Sequence, residues 1–375
     1  MKVALFTETF VPKVDGVVTI ITQMIARMQH HGITPILFAP PTAPTSYNGV
    51  SVYPCWGTQF LLYPELHFSF PSPRGIRAII DFQPDVIHVM NPTFIGAVGT
   101  IMSQVGNVPL VGSVHMDIDT YVTQYAGAWG LPIAWGYFRL WHNRAAVNLA
   151  PSTATLAQIT QHGIHRGRHW QRGIDLTRFQ RLPRNQAMRC RLTNNHPDDL
   201  LLLYVGRLTK EKGVEQLREL CALPGVRVAL VGGGPQESET KRYFAHTNAQ
   251  FTGILTGADL IDAYNAADVF VFPSQSETFG LAPLEAMACG LPVIAPFVGG
   301  LRDTLQDGFN AIVYDPTRPQ SLIDAVITLR DNQTLRQSLG EQAHTYAQHK
   351  SWQASMDQLI DIYRELYATQ PRKSL

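Results

Sequence analysis

The chain opens on an unbroken apolar run and then switches to apolar positions three and four apart. Lys2 to Thr7 has the length and content of a buried strand, and Val17, Ile20, Ile21, Met24, Ile25 and Met28 follow at helical spacing. Strand-like runs recur at Thr34 to Ala39, Asp85 to Met90, Pro109 to Val114 and Ala146 to Ala150, with helical or loop segments between them. Such alternation predicts a parallel, doubly wound α/β sheet. The pattern breaks near Gln171 to Asp175, and the stretch from Pro183 to Asp199 is polar with two prolines, which places a linker there. A second cycle starts at Leu200 to Val205 and continues with strands at Arg227 to Val231, Val269 to Phe272 and Pro292 to Ala295. The expected division is therefore 1–182 and 183–351. A final helix over 352–375 carries Met356, Leu359, Ile360, Tyr363, Leu366 and Tyr367 on one stripe.

Composition narrows this picture without redirecting it. The chain has 375 residues, enough for two domains with a core each, and its 45% hydrophobic and 16% charged content is that of a folded globular protein. A formal net charge of +1 gives no general attraction for nucleic acid. Four scattered cysteines show no zinc or redox spacing and fit a reducing cytoplasm. The first apolar run is too short for a signal peptide or a membrane span, so any membrane contact is expected to be peripheral. Two stretches are unusually apolar for loops: Trp56 to Phe70 followed by Arg74 and Arg77, and Tyr121 to Trp141. Aromatic and leucine side chains beside arginines suit an anionic membrane surface, and they suit equally a small satellite core beneath long loops.

The densest chemistry lies in Pro273 to Gly290. A strand, a loop and a helix opened by Pro283 would leave the amides of Gly280, Leu281 and Ala282 near a helix N-terminus, a place that favours phosphate. Glu277 falls in the loop and Glu285 in what reads as the first helical turn; such carboxylates suit sugar hydroxyls, although pairs of this kind also occur as ordinary solvated charges. Arg207 and Lys212 form a cationic pair at a strand end, where a forked guanidinium and an ammonium fit a diphosphate. Gly16, preceded by Lys13, sits at the mouth of a helix, and the same loop logic appears at Gly232 to Pro235, including Gly233. His115 ends a strand, where ligands gather in open α/β sheets. Asp117 and Asp119 look like a metal-binding pair but belong to an architecture the rest of the chain does not fit.

The segment from Pro273 to Gly290, with Arg207, Lys212 and Gly253 to Gly257, resembles the nucleotide-sugar signature of the retaining glycosyltransferases of family 4. That resemblance implies the GT-B fold, with two Rossmann-like domains facing across a cleft, the last helix packed back on the first domain, and no metal or other cofactor. It assigns Glu277 and His115 to the transferred sugar, Glu285 to the ribose, Arg207 and Lys212 to the diphosphate, and Ile254 to the base. Thr278, Phe279, Gly280 and Leu281 complete the donor loop. Within the family, Leu5 to Gly16, Ile87 to Pro92 and Trp170 to Asp175 are most similar to the sulfolipid-forming branch, which moves sulfoquinovose from UDP to diacylglycerol. A sulfonate in that pocket needs a cation; Lys13 stands first and Arg172 in reserve, with a plain solvated lysine as the alternative. The location implied is the cytoplasmic side of an inner or thylakoid membrane. GDP-mannose-dependent α-mannosyltransferases share most of these motifs, and a sugar-nucleotide epimerase or a non-catalytic nucleotide-binding module would share the fold.

Overall fold

The computed structural model describes residues 1–13, 15–60 and 63–369, with side chains given for all of these except 59–60, 63–67 and 124–125. Part of the apolar stretch expected near Leu61 and Leu62, and the tail 370–375, lie outside the described residues. The chain forms two compact units, one from 1–171 with 353–375 and the other from 172–352. The expected break at Pro183 moves forward to Arg172. The cause is visible in the backbone: Ile174 N donates to Lys350 O at 2.8 Å and Trp352 N donates to Ile174 O at 3.0 Å, tying the segment after Gln171 to the end of the second unit.

The first unit contains β1 (Lys2–Thr7), α1 (Gly16–His30), β2 (Thr34–Ala39), β3 (Ser46–Tyr47), β4 (Val50–Pro54), β5 (Trp56–Phe60), β6 (Tyr63–Phe70), α2 (Pro73–Phe82), β7 (Val86–Met90), α3 (Ile95–Gly106), β8 (Leu110–Ser113), α4 (Ile118–Ala126), α5 (Leu131–His142), β9 (Val147–Ala150), α6 (Thr153–Gln161) and β10 (Gly167–His169). Its main sheet has the order β10-β9-β8-β7-β1-β2-β4-β3, parallel except for the antiparallel pair β3 and β4. Both faces of its inner strands are covered, which is why β1 and β7 read as continuous apolar runs. Among the described residues, neither apolar stretch is mainly loop: Trp56–Phe60 and Tyr63–Phe70 pair as a separate two-stranded antiparallel sheet, β5 with β6, while 121–141 is mostly helical.

The second unit contains α7 (Gln186–Thr193), β11 (Leu200–Val205), β12 (Val226–Val231), α8 (Glu237–Tyr243), β13 (Gln250–Gly253), α9 (Gly257–Ala266), β14 (Val269–Val271), α10 (Leu281–Ala288), β15 (Val293–Pro296), β16 (Ala311–Tyr314), α11 (Pro319–Asp331) and α12 (Gln333–Gln348). Its six strands are all parallel, in the order β13-β12-β11-β14-β15-β16. The segment Val214–Ala222 after β11 is a 3-10 helix rather than an α-helix. The last helix, α13 (Trp352–Thr369), returns to the first unit. There Trp170 Nε1 donates to Ser355 O at 2.8 Å, Arg27 grips Asp357 with two bonds of 2.7 and 2.6 Å, and Tyr363 OH meets His88 Nδ1 at 2.5 Å. Among the described residues, no helix is long and apolar enough to cross a membrane.

Candidate active site

In each sheet the strand order reverses at one place, between β1 and β7 in the first unit and between β11 and β14 in the second. Ligands of open α/β sheets collect beyond the carboxyl ends of strands at such points. In the second unit Arg207 and Lys212 follow β11, and Pro273 to Glu277 follows β14, so both sides of the reversal carry chemistry.

Lys212 ends a 3-10 turn, Lys210–Lys212, and its Nζ lies 2.7 Å from Glu277 Oε2 and 5.4 Å from the centre of the Phe272 ring. Both side chains are largely buried, at 19% and 14% exposure, so the pair is shielded enough to have direction. Tyr204 OH donates to Arg207 O at 2.8 Å, fixing the backbone that carries the guanidinium. Helix α10 begins at Leu281 with Gly280 as its cap, and no side chain caps it. Gly280 has φ +92°, and an added Cβ would stand 2.6 Å from Leu301 Cδ2, so this turn requires glycine. Its N-terminus therefore retains the donors and partial positive charge that suit a phosphate. At Gly232 an added Cβ would overlap Gly206 O, a close approach that holds the two glycine turns together.

Glu285 is the fifth residue of α10, one turn deeper than its expected place in the first. Its Oε2 accepts from Tyr264 OH at 2.7 Å. Burial pushes the carboxyl up to about 7, opposed by the Tyr264 bond and by Arg178. Gly233 lies in the turn after β12, Ile254 is exposed just after β13, and Thr278 and Phe279 are half-buried in the loop before α10.

In the first unit, His115 follows β8, and its amide donates to the Asn91 side chain at 3.0 Å across the adjacent end of β7. Helix α1 starts at Gly16, but its N-terminus differs from that of α10. Asp15 caps it, accepting from Val18 N at 2.9 Å and from Thr9 Oγ1 at 2.9 Å, and Lys13 Nζ lies 3.5 Å from the same carboxylate. A carboxylate of the chain itself thus fills part of the anion-favouring position at α1. Arg172 is buried, and desolvation lowers its guanidinium to about 9. Asp117 caps α4 through Thr120 N, while Asp119 accepts from Trp135 Nε1 at 2.7 Å and Gln158 Nε2 at 2.7 Å, so both aspartates of the metal-like pair have structural partners.

Residues 191–346 match the family model of glycosyl transferases group 1, and residues 14–178 match that of glycosyltransferase family 4. Over 371 residues the chain is 33% identical to a GDP-mannose-dependent alpha-mannosyltransferase of Mycobacterium tuberculosis, covering 97% of this chain and 96% of that protein. The chain belongs to glycosyltransferase family 4. It is also 34% identical over 291 residues to the sulfoquinovosyl transferase SQD2 of Arabidopsis thaliana, which covers 76% of this chain and 57% of that longer protein. Among solved structures, sucrose-phosphate synthase from Thermosynechococcus elongatus superimposes with a TM-score of 0.81 at 22% identity, covering 98% of this chain and all of that one. That likeness establishes the GT-B fold, as expected.

Some residues of this glycosyltransferase's candidate site gave no signal in the sequence. Tyr264, which holds Glu285, lies on α9, and only the fold brings the two together. Asn91 was visible inside Ile87 to Pro92, yet nothing marked it as the partner of the His115 backbone. Glu8, just after β1, is buried; its Oε1 accepts from Gly96 N at 3.1 Å at the start of α3, and burial pushes its carboxyl up to about 7.

Proposed function

We propose that this glycosyltransferase moves sulfoquinovose from UDP-sulfoquinovose to diacylglycerol, with retention at the anomeric carbon and without a metal. The observation that carries the donor chemistry is the Lys212 to Glu277 pair beside the uncapped start of α10. On this reading the donor diphosphate takes Lys212 and Arg207, and the amides of α10 receive its negative charge. Glu277, released from Lys212, then accepts from a hydroxyl of the sugar. Fixed cations and amides that stabilise a leaving diphosphate do the work a metal does elsewhere. Glu285 holds the ribose, Ile254 the base and His115 the transferred sugar, while the amide of Gly16 joins that of Gly280 in stabilising charge on the leaving diphosphate.

No side chain has been assigned as a nucleophile, so the route is front-face attack through an oxocarbenium-like state. The acceptor hydroxyl loses its proton to the leaving phosphate as the new glycosidic bond forms on the same face. The sulfoquinovose assignment draws on the identity to SQD2 and adds Lys13 as the sulfonate's cation, with Arg172 in reserve. Its competitor is transfer of mannose from GDP-mannose, supported by the full-length identity to the mycobacterial enzyme.

A lipid acceptor fits one surface of the first unit. Trp56 pairs with Phe70 across the hairpin, and Phe68, two residues away, shares their face; Phe68 and Phe70 contact Phe94. Tyr137 OH donates to Thr93 O beside it, and Tyr137 belongs to an exposed stripe with Trp129, Ile133 and Leu140 that ends at Arg144. Trp129 is 73% exposed and Ile133 67%, whereas Trp135 and Phe138 are core residues. An apolar rim with arginine at its edge suits peripheral contact with an anionic membrane at the cytoplasmic face. Thermal-shift measurement with UDP, GDP and ADP tests the donor assignment: stabilisation by UDP alone supports sulfoquinovose, and stabilisation by GDP alone transfers the case to mannose.

A further inference from the structure

The second unit has a cavity of about 740 Å³ at the edge of the sheet opposite the donor residues. Leu200 begins β11, while Gly225, Asp268 and Pro292 immediately precede β12, β14 and β15, and all four line it. Arg207, Gly233 and Glu277 stand at the other ends of these strands, about 20 Å away along a six-residue strand. Five arginines against three aspartates line the cavity, an excess of two positive charges.

The arginines differ in how much of their charge is already used. Arg189 is a structural clip: it is buried, binds the carbonyls of Pro197, Ala266 and Asp199, and pairs with Asp268 at 2.7 Å. Burial lowers its pKa, and the nearby charges of Arg184 and Arg336 add to that effect. Arg184 must share the same carboxylate, at 2.7 Å, and keeps 40% of its side chain exposed. Arg336 binds the carbonyls of Leu329 and Arg330 at the end of α11, with no carboxylate partner among the described residues. Arg181 pairs with Glu341 at 3.0 Å, but both side chains are more than half exposed, so solvent screens that pair. Gln333, the first residue of the sixteen-residue α12, also lines the cavity, but Asn332 caps that helix by accepting from Leu335 N at 2.9 Å, so the arginines and not the helix end supply the site's charge.

We propose that this cavity is a second anion site, which binds a phosphate-bearing ligand through Arg181, Arg184 and Arg336. Its volume lies in the range of small-molecule sites, larger than one phosphate needs, so the ligand is a phosphorylated metabolite or the phosphate of a lipid headgroup. Planar guanidinium forks of unequal commitment, around a carboxylate that cannot neutralise them all, select such a ligand over a neutral one.

The test uses the full chain with its donor site saturated by whichever nucleoside diphosphate it binds. Pyrophosphate is titrated calorimetrically, and co-sedimentation is measured with vesicles of phosphatidylglycerol and of phosphatidylcholine. The expected result is that Arg181→Gln with Arg184→Gln weakens pyrophosphate binding, or phosphatidylglycerol binding, about tenfold or more, as loss of charge-assisted hydrogen bonds does. Nucleoside diphosphate affinity stays unchanged. An effect on pyrophosphate identifies a soluble ligand, and an effect confined to phosphatidylglycerol identifies a headgroup. Absence of both, or binding that is the same in wild type and variant, overturns the proposal. If the double variant melts early, Arg181→Gln alone carries the test, because its partner Glu341 is on the surface.

Discussion

Replacing Lys212 by methionine removes one charge, and with it the ammonium 5.4 Å from the centre of the Phe272 ring, while keeping a stem of similar length. Two effects follow, and the structure separates them. The ion pair with Glu277 is 2.7 Å long and largely shielded, so the variant strands a carboxylate that retains only a long contact from Phe279 N, at 3.5 Å. Stranding a half-buried charged group costs about 1–3 kcal/mol. Losing a preorganised cation at the leaving diphosphate costs about 2–4 kcal/mol of barrier, a drop of roughly 30- to 1,000-fold in kcat/KM. The stability loss is tested by adding Glu277→Gln: the double variant should recover most of the melting temperature, because no unpaired charge remains. Its activity should not recover. The assay is steady-state turnover beside a melting curve for each variant. A Lys212→Met protein that melts early yet keeps kcat/KM within about threefold of wild type would show that Lys212 only holds Glu277, and the diphosphate role would be lost.

The Glu8 carboxyl, raised to about 7 by burial, stays protonated in the folded chain over a range where the unfolded chain has released its proton. The stability this group contributes should therefore be full below pH 4.5 and be lost as pH rises to 7, on the order of 3 kcal/mol; Glu8→Gln should remove that share of the slope and leave the share of Glu285, also raised to about 7 by burial, and an unchanged slope would refute it. Lys13→Ala should weaken use of a sulfonated donor by about 1.5–3 kcal/mol while leaving UDP affinity intact; equal loss toward UDP and UDP-sulfoquinovose would place Lys13 on the diphosphate. Trp129→Ser with Ile133→Ser should abolish sedimentation with anionic liposomes without changing the melting temperature, whereas Trp135→Ser should destabilise the fold because its indole donates to Asp119 and stacks on His162 at 3.9 Å. Retained liposome binding by the first variant would remove that surface from the account.

The alternation of buried strands and amphipathic helices was legible because parallel strands covered on both faces leave continuous apolar runs, as in β1, β7 and β11. The reversal point of the second sheet was legible through the charged residues at its strand ends, Arg207 and Lys212 after β11 and the Glu277 loop after β14. Short or half-exposed strands were not: β13 is half-buried throughout, and β5 with β6 exposes Trp56, Phe68 and Phe70 on one face, an apolar pattern that marks no core. Side-chain partners at long range were invisible for a simpler reason. Tyr264 on α9 and Glu285 on α10 are joined by a hydrogen bond that only the tertiary fold creates, and no local pattern records it. The cap at Asp15 was within reach, since aspartate before a helix is a common start signal, yet its effect was to weaken the case for phosphate at Gly16.

The central claim is tested most directly by incubating the purified chain with UDP-sulfoquinovose and diacylglycerol vesicles in EDTA, and following the lipid product by mass spectrometry and its anomeric coupling by NMR. The account predicts an α-linked sulfoquinovosyl lipid formed at the same rate with and without the chelator, and no sugar transfer from GDP-mannose. A strict requirement for magnesium or manganese, or mannosyl transfer with UDP-sulfoquinovose left intact, would contradict it.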